Sequence, residues 1–115
     1  MFNLRRTNKN DIKSHDAHQL IIKTLSNVNF VILDVKSPEE YSEAHIDKAE
    51  NIDYNSSSFK AEVEKMDKNK KYLVYCRSGH RSSKAVKIMI KLGFTDLHSL
   101  NGGIRKWKKE SFPLV

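Results

Sequence analysis

Two uninterrupted apolar runs, FVIL at 30–33 and YLVY at 72–75, constrain the fold more than any other feature of the chain. Each is short, aromatic or β-branched in character, and has no polar residue in alternation, so neither suits a strand with one wet face. Such runs are buried on both sides, in a sheet covered above and below. The segments around them have helical patterns. SHDAHQLIIKTL repeats Ala17, Leu20, Ile21, Thr24 and Leu25 at helical spacing behind Ser14, which reads as an N-cap. SPEEYSEAH has a capping serine, Pro38 at the first helical position and acids in the first turn. SSSFKAEVEKM sets Phe59, Val63 and Met66 at spacings of four and three behind serines. From Ser82, SSKAVKIMIKLGF pairs Ala85 with Met89 and Val86 with Ile90, keeps Lys84, Lys87 and Lys91 elsewhere, and ends at Gly93 as a C-terminal cap. TDLHSL is a last short strand, NGG a turn, and IRKW opens a closing helix.

Strands that alternate with helices imply an α/β fold with a central, mainly parallel sheet and helices on both faces. The 115 residues suit one domain, and no internal repeat or low-complexity segment divides them. In open parallel sheets the ligand crevice lies beyond the carboxyl ends of the strands. Asp34 and Cys76 are both expected there.

Cys76 is the only cysteine, which removes internal disulfides, zinc ribbons and dithiol redox pairs from consideration and points to a reducing, cytoplasmic setting. MFNLRRTNKNDIK has basic residues without an apolar stretch after them, and no segment approaches membrane-spanning length. The net charge of +7 raises nucleic acid as a partner, but residues 34–53 are acidic and no aromatics interleave the basic residues of the C-terminal half. Solvated lysines are the simpler reading, with a tRNA-associated role compatible with the basic half. His15 and His18 stand three apart on a helix without further ligands, so neither a metal nor another cofactor is expected.

Cys76 directly follows a buried strand, its next residues are polar and basic, and a helix starts within a few positions. Unpaired N–H groups and the positive end of that helix then face the sulfur, which favours its charged form and makes Cys76 a candidate nucleophile. Gly79 is placed where the backbone turns through a conformation other residues resist, letting successive amides of the loop, which comprises Arg77, Ser78, Gly79, His80, Arg81 and Ser82, converge as an anion cradle. Arg81 closes the loop and is the better arginine for holding a thiolate or substrate oxyanion. His80 either tunes local charge or fills a variable position. Asp34 either orients a loop arginine or, with the stronger claim, serves as a turn carboxylate.

The loop CRSGHRS resembles the active-site loop of rhodanese-like sulfurtransferases. ILDVKSPEEYSEAHI is similar to that family's Asp-Val-Arg, Glu-Tyr and Gly-His-Ile segment, and LNGGIRKW to its Gly-Gly and Trp near the C-terminus. The match covers about residues 12–112, leaving 1–11 as an N-terminal extension. Lys36 stands where Arg is usual, Ala44 precedes His45 in place of Gly, and DKAEN replaces a Pro-Gly-Ala turn. The resemblance implies one rhodanese-like domain in which Cys76 takes a sulfane sulfur from a small anionic donor (thiosulfate, glutathione persulfide or polysulfide). It then passes that sulfur to a thiol, cyanide or a protein. With no second cysteine, sulfur leaves only to an external acceptor. His45 is structural in this reading, Trp107 is core or a pocket wall, and the domain acts as a monomer.

Two other readings compete. Phosphatases and arsenate reductases also cradle a tetrahedral anion between cysteine, amides and arginine, but resemble Cys-x5-Arg, whereas Arg81 closes Cys-x4-Arg here. A ring one residue shorter suits a single sulfur atom better than a phosphate. A non-catalytic interaction module on the same fold is the other, and the intact loop argues against it.

Overall fold

The computed structural model describes residues 9–24 and 26–115. Ten elements follow one another as β1 (Asp11–Ile12), α1 (Ser14–Lys23), β2 (Phe30–Asp34), α2 (Pro38–Glu43), β3 (Glu50–Asn51), α3 (Phe59–Glu64), β4 (Lys71–Tyr75), α4 (His80–Lys91), β5 (Asp96–Leu100) and α5 (Gly103–Lys109). The strands form one sheet in the order β1-β5-β4-β2-β3, with every pairing parallel. This is the α/β architecture expected from the two apolar runs, which become the central strands β2 and β4, paired Ile32 with Leu73 and Leu33 with Val74.

Strand alternation divides the core in two. Tyr72, Val74 and Cys76 point to one face with Leu33 and Val35, where Phe59 and Val63 of α3 and Ala85, Val86 and Met89 of α4 cover them. Leu73 and Tyr75 point to the other with Ile32, where Ala17 of α1 and Trp107 of α5 pack. The cysteine is thus in phase with the α4 face. Trp107 is buried and donates its indole N–H to the Pro113 carbonyl at 2.9 Å, which fixes α5 and the segment after it to the sheet. Burial of side chains this size contributes about 1.5–3 kcal/mol each.

The connections leave β2 and β4 in opposite directions, β2 running outward to β3 and β4 to β5. Their carboxyl ends therefore open a crevice at the switch point of the sheet.

Several local expectations shift. Ser14 is not the cap of α1: Lys13 holds that position with extended backbone, and Ser14 is the first helical residue, its hydroxyl buried without a hydrogen-bond partner among the described residues. The reason is β1, too short to show a period, which ends at Ile12 and delivers the chain into the helix one residue early. Asp11, assigned to an extension, is the first residue of β1 and pairs with Ser99, and the carbonyl of Asn10 before it accepts from Ser99 N–H at 2.8 Å. Leu25 lies outside the described residues. Helix α4 starts at His80 rather than Ser82, and Ile90, expected on its buried side, is 45% exposed at the margin of the stripe. Its end is as expected. Gly93 has φ +103°, its N–H reaches the Ile90 carbonyl and that of Phe94 the Met89 carbonyl, closing a Schellman turn.

Candidate active site

Cys76 is the first residue past β4 and has no exposed area. The chain then makes a tight turn through Arg77 and Ser78 to Gly79, whose φ of +101° places it in the left-handed region that glycine tolerates. Gly79 is the N-cap of α4 and offers no side chain to the helix's first amides. The amide of the cap itself and that of Ser82 in the first turn point to the sulfur. Gly79 N–H donates to Sγ at 3.1 Å and Ser82 N–H at 3.4 Å, and the Ser82 hydroxyl lies 3.7 Å away. That hydroxyl also donates to the Gly79 carbonyl at 3.2 Å and meets the Ser99 hydroxyl, on β5, at 3.0 Å. The first turn of α4 is thereby tied to the sheet beneath the sulfur.

A second glycine turn supports the loop from outside. The N–H groups of Ile104 and Arg105, at the start of α5, donate to the carbonyls of Cys76 and Arg77 at 3.0 Å each. So close an approach needs Gly103, whose φ is +61° and where a Cβ would collide with the Arg77 carbonyl. A Cβ on Gly79 would come within 3.3 Å of Gly102 N. The NGG segment, legible in the sequence only as a turn, is the clamp on the loop's carbonyls.

Arg81 does not face the sulfur as an unengaged guanidinium. Its Nη1 and Nη2 donate to Oε1 and Oε2 of Glu40 at 2.7 and 3.0 Å, a two-point pair between α4 and α2. The Arg81 hydrogen bonds hold the Glu40 carboxyl down at about 2, with help from Ser37 and against a desolvation cost. Glu40 was not singled out from the sequence, since its partner lies 41 positions away and only the fold brings them together.

Asp34 touches neither arginine. One carboxylate oxygen accepts from Lys36 N–H at 2.8 Å and the other pairs with Lys36 Nζ at 3.1 Å, both residues buried. Lys36 Nζ also donates to the carbonyls of Glu40 at 3.2 Å and Ala44 at 2.7 Å, closing the end of α2. Asp34 is therefore the turn carboxylate, joined to the site only through the frame. Arg77, Ser78 and His80 are exposed, with His80 in the first turn of α4 instead of the loop. His18 packs on Trp107 and Phe112 at ring distances of 5.8 and 4.8 Å, and no metal-ligating cluster exists among the described residues. No helix among them is long and apolar enough to cross a membrane.

The arrangement presents one sulfur, held by two backbone amides at an uncapped helix N-terminus, at the switch point of a parallel sheet. Comparison with known proteins agrees on what it resembles. The family model described as Rhodanese-like domain matches residues 16–110. The chain is 32% identical over 103 residues to the Bacillus subtilis (strain 168) protein YqhL, covering 84% of this chain and 80% of that one. It is 35% identical over 80 residues to the thiosulfate sulfurtransferase GlpE of Coxiella burnetii (strain RSA 331 / Henzerling II), covering 70% and 73%. A rhodanese-related protein from Thermoplasma volcanium superposes with a TM-score of 0.78 at 30% identity, over 91% of this chain and 96% of that chain.

Proposed function

The chain belongs to the rhodanese-like domain family, and on that premise we propose that it is a sulfurtransferase that carries sulfur on Cys76. The observation that carries this reading is the pair of amide contacts to Sγ from Gly79 and Ser82, at a helix N-terminus that no side chain caps. Backbone donors and the helix end stabilise negative charge on the sulfur before and after transfer.

With thiosulfate, the Cys76 thiolate attacks the outer sulfur. A new S–S bond forms to Cys76 as the bond to the sulfite sulfur breaks, and sulfite leaves with the electron pair. The product is an anionic persulfide on Cys76, so total charge is unchanged and no proton donor is required. Cyanide or a thiolate then attacks the outer sulfur and restores the Cys76 thiolate. Because Cys76 has no exposed area, a donor must present a narrow end, and a terminal sulfur is one atom wide. The Arg81–Glu40 pair speaks against a phosphatase or arsenate reductase, which needs its arginine free to bind an oxyanion.

The test is the intact mass of the protein before and after thiosulfate or glutathione persulfide, with Cys76→Ser alongside. The expected result is a gain of one sulfur that requires Cys76 and disappears with reductant. No gain from any donor, in a protein whose thiol still alkylates, would overturn the reading.

A further inference from the structure

Beneath the first turn of α4 lies Ser99 of β5, a hydroxyl separated from the sulfur by a single residue. It is 2% exposed and fixed in the sheet from both sides, paired with Val74 of β4 and Asp11 of β1, with its N–H donating to the Asn10 carbonyl at 2.8 Å. Val74 and Cys76 share a face of the sheet, and Ser99, opposite Val74, points the same way. Its hydroxyl meets the Ser82 hydroxyl at 3.0 Å and has no other hydrogen-bond partner among the described residues.

The protons of this pair can be counted. Ser82 has one hydroxyl proton and two lone pairs. Within its reach are the Gly79 carbonyl at 3.2 Å, Ser99 Oγ at 3.0 Å and Cys76 Sγ at 3.7 Å. A thiol at Cys76 donates to Ser82 Oγ, and the Ser82 proton then goes to the Gly79 carbonyl. A thiolate has no proton to give, and the Ser82 proton is worth most on that anion. Were it to go to Ser99 instead, the Ser99 proton would be buried without an acceptor. Ser99 is therefore the donor of the pair. Its proton on Ser82 Oγ polarises the Ser82 hydroxyl and makes it a stronger donor toward negative charge.

We propose that Ser99 is a positioning residue for Cys76: by donating to Ser82 Oγ it directs the Ser82 hydroxyl at the sulfur whenever the sulfur is anionic. Its effect on turnover rests on the sulfurtransferase reading; its effect on the thiolate does not. In unloading, cyanide or a thiolate bonds to the outer sulfur, the S–S bond breaks, and the electron pair goes to Cys76 Sγ, where the Ser82 hydroxyl receives it. In loading, Sγ gives up its charge to a new bond, so the same hydroxyl restrains the attack slightly. Ser99 thus acts in opposite senses on the two half-reactions.

Alkylation by iodoacetamide, which involves no sulfur transfer, is the first test. Ser99→Ala raises the pH midpoint of Cys76 alkylation by about half a unit and adds nothing in a Ser82→Ala background. Ser99→Thr and Ser99→Val match in shape and differ in the hydroxyl, and only the Val variant shifts. The charged groups about the sulfur stay in place in all of these: Arg81, on which Cys76 and Asp53 act, is paired with Glu40; Asp34 and Lys36 are closed on each other; Arg77 and His80 are exposed. An unchanged midpoint in Ser99→Ala, an equal shift in both backgrounds, or equal shifts with Thr and Val would overturn the assignment.

The half-reactions then separate the two proposals. Ser99→Ala unloads sulfur to cyanide about twofold more slowly, while its loading from thiosulfate, measured above the alkylation midpoint, is as fast as in the wild type or faster. Parallel losses in both half-reactions would reduce Ser99 to packing and overturn its role. A shifted alkylation midpoint in a protein that no donor loads would keep the Ser99 assignment and remove the sulfurtransferase reading.

Discussion

Two turns leave the sheet side by side at the same end, one from β2 into α2 and one from β4 into α4, and they treat the same physical problem in opposite ways. Each must satisfy the first amides of a helix. The β2 turn does so with its own side chains. Ser37 Oγ accepts from Glu40 N–H at 3.2 Å, Glu40 Oε1 accepts from Ser37 N–H at 3.0 Å, and Pro38 has no N–H to satisfy. Its buried charges are also closed internally, Asp34 on Lys36, and Asn51 of β3 donates to the Asp34 and Lys36 carbonyls at 3.0 and 2.9 Å. The β4 turn offers glycine where the cap would be and directs its amides at a sulfur. A turn closed by its own residues is scaffold, and one left open to a reactive atom is a site.

The largest effect is expected where the closed turn is opened. Lys36→Ala leaves the buried Asp34 carboxylate without its cation and the Ala44 carbonyl without its donor. Removing one partner of a buried pair costs about 3–5 kcal/mol, to be read by urea unfolding. Asp34→Ala/Lys36→Ala should recover part of the loss, as a double-mutant cycle would report. Full additivity of the two single effects would show that the pair is no unit.

Next comes Gly103→Ala, which forces a Cβ into the Arg77 carbonyl at a positive φ. Overpacking of this kind costs about 1–3 kcal/mol. It also displaces the carbonyls that α5 holds, so sulfur loading should slow beyond what the lost stability explains. If loading is normal in the folded fraction, the clamp does not position the open turn.

Glu40→Gln joins the two turns in one experiment, because Gln still accepts from Ser37 N–H while the ion pair to Arg81 is lost. At neutral pH the variant should be less stable by about 1–2 kcal/mol. The sign follows from the carboxyl being held at about 2 against an ordinary 4.5. The wild-type advantage is complete above 4.5 and disappears as pH falls through about 2. A difference that persists at the acid end would assign the effect to packing. Arg81, released, becomes available to oxyanions, so inorganic phosphate should inhibit sulfur loading more strongly than in the wild type.

The sequence reveals what depends on short-range pattern. The strands FVIL and YLVY, the Ser37–Pro38 start of α2 and the Gly93 stop all declare themselves within a few residues, since each is fixed by local burial period or cap chemistry. What depends on approach in space is hidden. The two-residue strands β1 and β3 carry no period, and their pairing is decided by β5 and β2. The partner of Arg81 is hidden because Glu40 is distant in the chain. Ser82 gave no sign of Ser99 beneath it, and the first turn of α4 was read as loop because Gly79 starts the helix without a capping side chain.

The smallest effect is the sharpest test of the comparison. Ser37→Ala removes one hydroxyl bond to Glu40 N–H but leaves the Ser37 backbone N–H donating to Glu40, and leaves Glu40 on Arg81. Loss of a capping serine costs about 1 kcal/mol. Since that amide belongs to the closed turn, the rate of sulfur loading on Cys76 should be unchanged while the unfolding midpoint falls. A slower loading rate at unchanged fold would mean that the capped helix start transmits to the sulfur through Glu40 and Arg81. The two turns would then be one device, the closed turn setting the position of the open one.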